Sequence, residues 1–202
     1  MTELEKMEKG LIYDCTDSEV LNLQTQCVSN MSEYNTLGLN QQERMAQLLS
    51  EMFARVGKDT CILPPFYANW GGAHVHLGER VFANYNLTLV DDGNIYIGDY
   101  TMIGPNVTIA TASHPILPNA RMKGLQYNVD VHIGNNVWIG SNAVILPGVH
   151  IGDNTVIGAG SVVTRDIPSN VIAVGNPCKV LRIIDTEGID YDNYMAHTQQ
   201  EK

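Results

Sequence analysis

The chain is poor in charge, and poorest in positive charge. Lysine and arginine together number 12 against 22 aspartates and glutamates, 17% of residues are charged, and the formal net charge is −10. A protein that tracks a phosphate backbone needs clustered cations, so this balance argues against a nucleic-acid binder. A small anionic ligand needs only a few local cations and stays open; otherwise the acidity serves solubility. Long apolar runs are missing too. No stretch approaches the ~18–20 apolar residues of a membrane-spanning helix, so no membrane role is expected. The first nine residues are charged and mixed in sign. They lack the basic start, apolar middle and small-residue cleavage site of a signal peptide, so a cytoplasmic protein is expected. Cysteine is scarce: Cys15, Cys27, Cys61 and Cys178 form no CxxC pair, which argues against a zinc knuckle or a thioredoxin-type motif. The expectation is reduced, partly buried thiols. Neither a GxxxxGK phosphate loop nor a GxGxxG dinucleotide motif is present.

What is present is a period of six. After position 132 an aliphatic residue recurs as Ile133, Ile139, Ile145, Ile151, Ile157 and Val163, most often followed by glycine. Four positions beyond each stands Val137, Ala143, Val149, Thr155, Ser161 or Ile167. An earlier run reads Leu77, Ala83, Leu89, then Ile97, Ile103 and Ile109, with two extra residues at Asp91-Asp92-Gly93-Asn94. A helix repeats every ~3.6 residues and would scatter these aliphatics around its surface. Short β-branched pieces separated by Gly, Asn and Asp indicate short strands joined by turns. Three hexads make one coil of a prism, and stacked coils bury a continuous aliphatic column that no coil could bury alone. The expected fold is therefore an all-β core, a parallel β-helix. From Ile109 to Ile133 the spacing is four hexads, so the interruption returns the chain in phase.

The N-terminal part reads differently. Met45, Leu48, Leu49, Met52, Phe53 and Val56 follow helical spacing, with Asn40 and Glu43 as a capping box and Gly57 as the stop. A second helix is expected to begin at Thr16, with Glu19 reaching back. Three regions follow: an α-helical cap over 1–57, a β-helix over 58–184 with an extruded loop at 115–131, and a polar acidic tail over 185–202. The cap covers the open end of the solenoid, whose last coil would otherwise expose apolar faces and strand edges.

Several stretches resemble the hexapeptide-repeat acetyltransferases, and more narrowly the maltose and galactoside O-acetyltransferases. They are "EMFARVG" (51–57), "FANYNLTLVDD" (82–92), "IGPNVTI" (103–109), "SHP" (113–115), "IGNNVWIGSNAVILPGV" (133–149), "IGAGSVVTRDIP" (157–168) and "VGNPCKV" (174–180). The resemblance covers roughly residues 5–184. It implies a left-handed β-helix, a homotrimer with active sites between subunits, and transfer of an acetyl group from acetyl-CoA to a sugar hydroxyl, with no metal.

That chemistry needs a base for the hydroxyl proton and donors for the developing oxyanion. His114 suits the first role: imidazole titrates near working pH, and the residue stands where the repeat breaks, with Pro115 fixing the chain behind it. The bland alternative is a solvated loop histidine. The resemblance places Asn84 and Asp92 on the acceptor, with Asp14 and Asn69 as further acceptor candidates; a plain turn is the alternative for the segment around Asp92. On the acetyl-CoA side it implies Trp138, Ser141, Ala159, Thr164 and Arg165 along the groove, with Lys179 and Arg182 at the phosphates. Ordinary surface charge is the alternative for Arg165 and Arg182. Trp70 and His74 stand where the family usually has tyrosine and asparagine, and Lys179 replaces an arginine, keeping the charge but losing the bidentate fork. His74 and His76 alternate as a metal pair would, but no third ligand is evident. His132 and His150 occupy turn-facing repeat positions. Direct transfer is expected, since no nucleophile is suitably placed beside His114. An amino sugar or an aminated antibiotic as acceptor, a zinc hydratase of the same fold, and a non-catalytic trimeric scaffold are the alternatives.

Overall fold

The hexad aliphatics stack into three columns. In the computed structural model, which describes residues 1–185, each coil contributes one short strand to each of three parallel sheets. On the first face Val56, Leu77, Ile97, Ile133 and Ile151 are in register. On the second the column is Ile62, Ala83, Ile103, Ile139, Ile157 and Ala173. On the third it is Ala68, Leu89, Ile109, Ile145 and Val163. All of these except Val56 are buried and belong to one core cluster. Full burial of each Ile or Leu stabilises the fold by roughly 1.5–3 kcal/mol, so the columns hold the prism together. The second member of each hexad is buried as well, from Val137 to Ile167. Where it is polar it is paired: Thr155 donates to the Pro168 carbonyl, and the Ser161 hydroxyl accepts from Gly175 N–H.

The corners explain the asparagines. Asn136, Asn142, Asn154 and Asn170 all adopt positive φ, a conformation that asparagine tolerates better than most side-chain-bearing residues. Their amides also bond from coil to coil, Asn136 to Asn154 and Asn154 to Asn170.

The solenoid begins one coil earlier than the repeat suggests. The expected helix through Val56 ends at Met52; Phe53 is already extended, and Arg55–Val56 pairs with Val75–Leu77. Gly57 is not a helix stop. A Cβ there would lie 2.2 Å from the Gly78 carbonyl, so glycine is required for the coils to stack. The cap contains four helices, α1 (Glu3–Glu8), α2 (Ser18–Cys27), α3 (Ser29–Tyr34) and α4 (Gln42–Met52). Asn40 caps nothing: Gln41 precedes α4 and reaches back to Gly38 N–H instead. The α2 cap is Asp17, which accepts from Glu19 and Val20 N–H, while Thr16 turns to Asp14. Met45, Leu48, Leu49 and Met52 then close the end of the column. Tyr34 joins them, edge-on to Phe66 with its hydroxyl on the Ile62 carbonyl.

The extruded loop has structure of its own. It carries a short helix, α5 (Pro118–Arg121), and the strand Leu125–Asn128. That strand lies between Tyr13–Asp14 and Ala112–Ser113 in a small antiparallel sheet. The chain rejoins the prism at Val131, opposite Ile95. Ile145 pairs with Val163 one coil on, whereas Ile109 pairs with Ile145 two coils on by residue count. The loop therefore consumes one coil's worth of chain and leaves the columns intact. Of the acidic tail only Asp185 is among the described residues.

Candidate active site

The residues singled out from sequence fall on two different edges of the prism. One edge joins the second face to the third. There Asn84, Trp138, Ser141 and Ala159 line a groove of about 360 Å3, together with Gly104, Gly140 and Gly158. Glycine is forced at these steps: a Cβ on Gly104 would sit 2.8 Å from Ser141 N, and one on Gly140 would sit 2.5 Å from Ala159 N. Among the described residues neither the Ser141 nor the Ala159 N–H has a hydrogen-bond acceptor. Two backbone donors one coil apart thus belong to residues that line the groove. Asn84 stands here, half-buried, with its side-chain oxygen accepting from Tyr85 N–H. Lys179 pairs with Val174 in the last, antiparallel strand of the second face, and Arg182 pairs with Ile172; both are exposed.

The other edge joins the third face to the first. Here the two extra residues, the loop and the N-terminal segment converge. Thr164 and Arg165 lie exposed at its far end, directly after Val163. His114 is exposed, and its Nδ1 lies 3.0 Å from the Leu125 carbonyl oxygen. A carbonyl only accepts, so Nδ1 carries the proton and Nε2 is left as a lone-pair acceptor. Leu125 is paired in register with Asp14. The Asp14 carboxylate accepts from the hydroxyl and the N–H of Thr16, which hold it below the usual carboxylate range. Its own N–H donates to Glu3 of α1 at 2.7 Å.

Behind His114 lies a polar network that the sequence did not announce. Asp92 is 8% exposed. Its carboxylate accepts from Asn69 at 2.9 Å, from Gln126 at 2.9 Å and from the Trp70 indole at 3.3 Å. Asp91 beside it is fully buried, receiving the Trp70 and Gly72 N–H groups; burial nevertheless pushes its carboxyl upward. The Gln126 amide also donates to Tyr13 Oη at 2.6 Å, and Asn128 donates to the Asp92 carbonyl at 2.9 Å. Burial pushes the Tyr13 phenol up to about 12, so it stays neutral. Tyr13, Trp70, Gln126 and Asn128 were not on the list of expected polar partners. They come from three distant segments, at 13, 70 and 126–128, and the loop's phase-preserving return brings them together.

The remaining described histidines have other partners. His74 Nδ1 sits 2.6 Å from the Asp91 carbonyl, with its ring against Trp70. His76 stacks on Tyr96, Tyr96 on His132, and His132 on His150, at ring separations of 4.6, 4.6 and 4.7 Å on the outside of the first face. Among the described residues no three His, Cys, Asp or Glu side chains are grouped to hold a metal ion. No described helix is long and apolar enough to cross a membrane.

A parallel solenoid with an oriented imidazole on one edge and a glycine-lined donor groove on another defines a hexapeptide-repeat protein built for group transfer. Residues 130–165 match the bacterial transferase hexapeptide (six repeats) family, and residues 6–57 match the maltose acetyltransferase hexapeptide capping motif. The chain is 48% identical over 183 residues to a galactoside O-acetyltransferase of Lactococcus lactis, covering 90% of this chain and 88% of that one. Its fold matches a galactoside acetyltransferase solved in complex with coenzyme A (TM-score 0.87, 43% identity, 92% of each chain). It also matches a hexapeptide-repeat acetyltransferase of Vibrio cholerae complexed with acetyl coenzyme A (TM-score 0.83, 34% identity, 92% of this chain and all of that one). The chain belongs to the hexapeptide-repeat acetyltransferases, a family of acyl-transferring enzymes, within the maltose and galactoside O-acetyltransferase group.

Proposed function

We propose that this protein is an acetyl-CoA-dependent O-acetyltransferase acting on a sugar hydroxyl, of the maltose/glucose or galactoside type, with His114 as general base and direct transfer. The observation that carries the reading is the His114 imidazole, whose Nδ1–H is taken by the Leu125 carbonyl so that Nε2 is an open acceptor. Acetyl-CoA fits the other edge: the Ser141 and Ala159 N–H groups offer donors to the thioester and the pantetheine arm, Lys179 and Arg182 supply charge for the nucleotide end, and Thr164 and Arg165, which stand on the His114 edge, reach it from the neighbouring protomer.

Acetyl-CoA supplies the acyl group. His114 Nε2 accepts the acceptor's hydroxyl proton as that oxygen bonds to the acyl carbon. Backbone donors at Ser141 stabilise the negative oxygen. The imidazolium then returns its proton to the departing sulfur, so the products are the acetyl ester and the free thiol, and His114 ends neutral. No step calls for a metal.

A homotrimer with active sites between subunits is part of this reading, and the separation of the two edges supports it. His114 and the Ser141 groove stand on different edges, separated by the whole third face, so one chain does not bring base and donors together. Three-fold closure sets one edge of each protomer against the other edge of its neighbour. Asn84 then meets a neighbour's His114. Asp92, Asn69 and Asp14 are the acceptor ligands on the His114 side of that seam.

Thiol release from acetyl-CoA against a panel of galactosides, maltose, glucose, amino sugars and aminated antibiotics tests the function. His114→Ala should lower turnover by roughly 10²–10⁴-fold. Full activity in that variant would remove the assignment.

A further inference from the structure

The cap contributes more to the site than closure of the solenoid. His114 is oriented by one carbonyl, that of Leu125, and Leu125 lies on a strand that has left the prism. Something must fix that strand, because an angstrom of drift there carries the imidazole with it. On one side it is paired to Ala112–Ser113, which leaves the third face just after Ala110. On the other it is paired to Tyr13–Asp14, which belongs to the N-terminal segment. The loop strand's buried anchor is Gln126, 5% exposed, and its amide has two strong acceptors: Asp92 Oδ1 at 2.9 Å and Tyr13 Oη at 2.6 Å. Asp92 is itself fastened to the prism by Asn69 and Trp70. Tyr13 is 1% exposed and packs with Met7, Val20 and Trp70, so its hydroxyl is fixed by its ring. Glu3 ties the same strand to α1 through Asp14 N–H.

We infer that Tyr13 is a positioning residue for the acetyl-transfer step. Its hydroxyl and the Asp92 carboxylate clamp the Gln126 amide from two sides, which sets the Leu125 carbonyl and with it the tautomer and aim of His114. The inference rests on the reading of His114 as the general base. The Tyr13 hydroxyl bonds to Gln126 and Asn128, not to the imidazole, so it acts through Gln126 and the adjacent backbone.

Tyr13→Phe tests it, since the ring and its packing are kept and only the hydroxyl is removed. In the full-length protein kcat should fall roughly tenfold while KM for acetyl-CoA, which binds on the other edge, stays unchanged, as expected for a misaimed base. Nitrogen-15 NMR of histidine-labelled protein should show the His114 ring shifting from a single Nδ1–H form to a mixture. Gln126→Leu should do the same more strongly. Unchanged kcat in Tyr13→Phe with the His114 spectrum intact would overturn the inference, even if the melting temperature fell, because that is the signature of packing alone. A parallel His114→Ala measurement separates the two readings. If that variant stays active, the base assignment has failed. If it is inactive while Tyr13→Phe is fully active, only the positioning role has failed.

Discussion

The two edges of the prism solve opposite problems. The edge carrying Ser141 and Ala159 is made by bare hexad turns, and what it offers are backbone N–H groups that recur because the coil recurs. The edge carrying His114 is made by departures from the repeat, and its groups are side chains that each need a separate support. Regularity presents the same group many times at one spacing. Irregularity presents one group once, at the cost of a bracing network. The clearest way to break the comparison is to change chain length on each edge. Deleting Asn142 from its turn removes one position from a hexad, so Ile145 leaves the third column and every later aliphatic turns with it. No soluble folded protein is expected, by yield and circular dichroism. Deleting Asn119 at the loop tip changes no column register and should leave the fold intact.

That contrast also explains what the sequence disclosed. The period of six forces a repeating inward face, so the solenoid, its phase across the loop and the stacking of Ile133 through Val163 were legible without coordinates. The first coil was not, because only Val56 is followed by the marking glycine, where Gly57 also reads as a helix stop, and Ile62 and Ala68 are followed by Leu63 and by an irregular turn through Asn69–Ala73. Helical spacing ran on through Val56 since Phe53 and Val56 are apolar in either conformation; what ends the helix is the pairing of Arg55–Val56 with Val75–Leu77. His114 was legible from the break in the repeat. Its orientation was not, because the Leu125 carbonyl belongs to the backbone and Tyr13 comes from the other end of the chain. Asp92 was legible from the two extra residues; the three donors that converge on its carboxylate were not, because two of them come from the turn at 69–73 and one from the loop strand.

A point substitution on each edge sharpens the difference at a smaller scale. Ile139 is fully buried in the second column, and Ile139→Ala should cost about 2–5 kcal/mol of stability, read by denaturant unfolding. Activity per folded molecule should change little, since the Ser141 amide depends on coil stacking on both sides. Asp92→Ala removes the acceptor for Asn69, Trp70 and Gln126. It should cost about 1–3 kcal/mol for each donor left unpaired, and here activity per folded molecule should drop with stability. Equal losses of specific activity in the two variants would mean that both edges depend on the column alone.

The smallest effect lies on the outside of the first face, away from both edges. His76, Tyr96, His132 and His150 stack in register, one ring per coil. Burial and the neighbouring His150 push the His132 imidazole below its ordinary value, and Asp130 opposes them. The other polar groups against the stack are Asn94 at His76, Asp166 at 3.6 Å from His150, and Arg55, which pairs with His76. Because the folded protein binds the His132 proton less readily than the unfolded chain, the ladder's contribution is present above the unfolded value of about 6.5 and is lost as pH falls through the lower folded value. The acidic groups Glu3, Asp14 and Glu33 are held low by their partners and also lose stability in acid, so the absolute curve does not isolate the ladder. The difference between two proteins does. His132→Phe keeps a ring in the stack and removes its titration, and the fall in melting temperature between pH 7.5 and pH 5 should be smaller in the variant than in the parent. An equal fall in both would show that the stacked imidazoles are coupled only by packing, as the inward columns are.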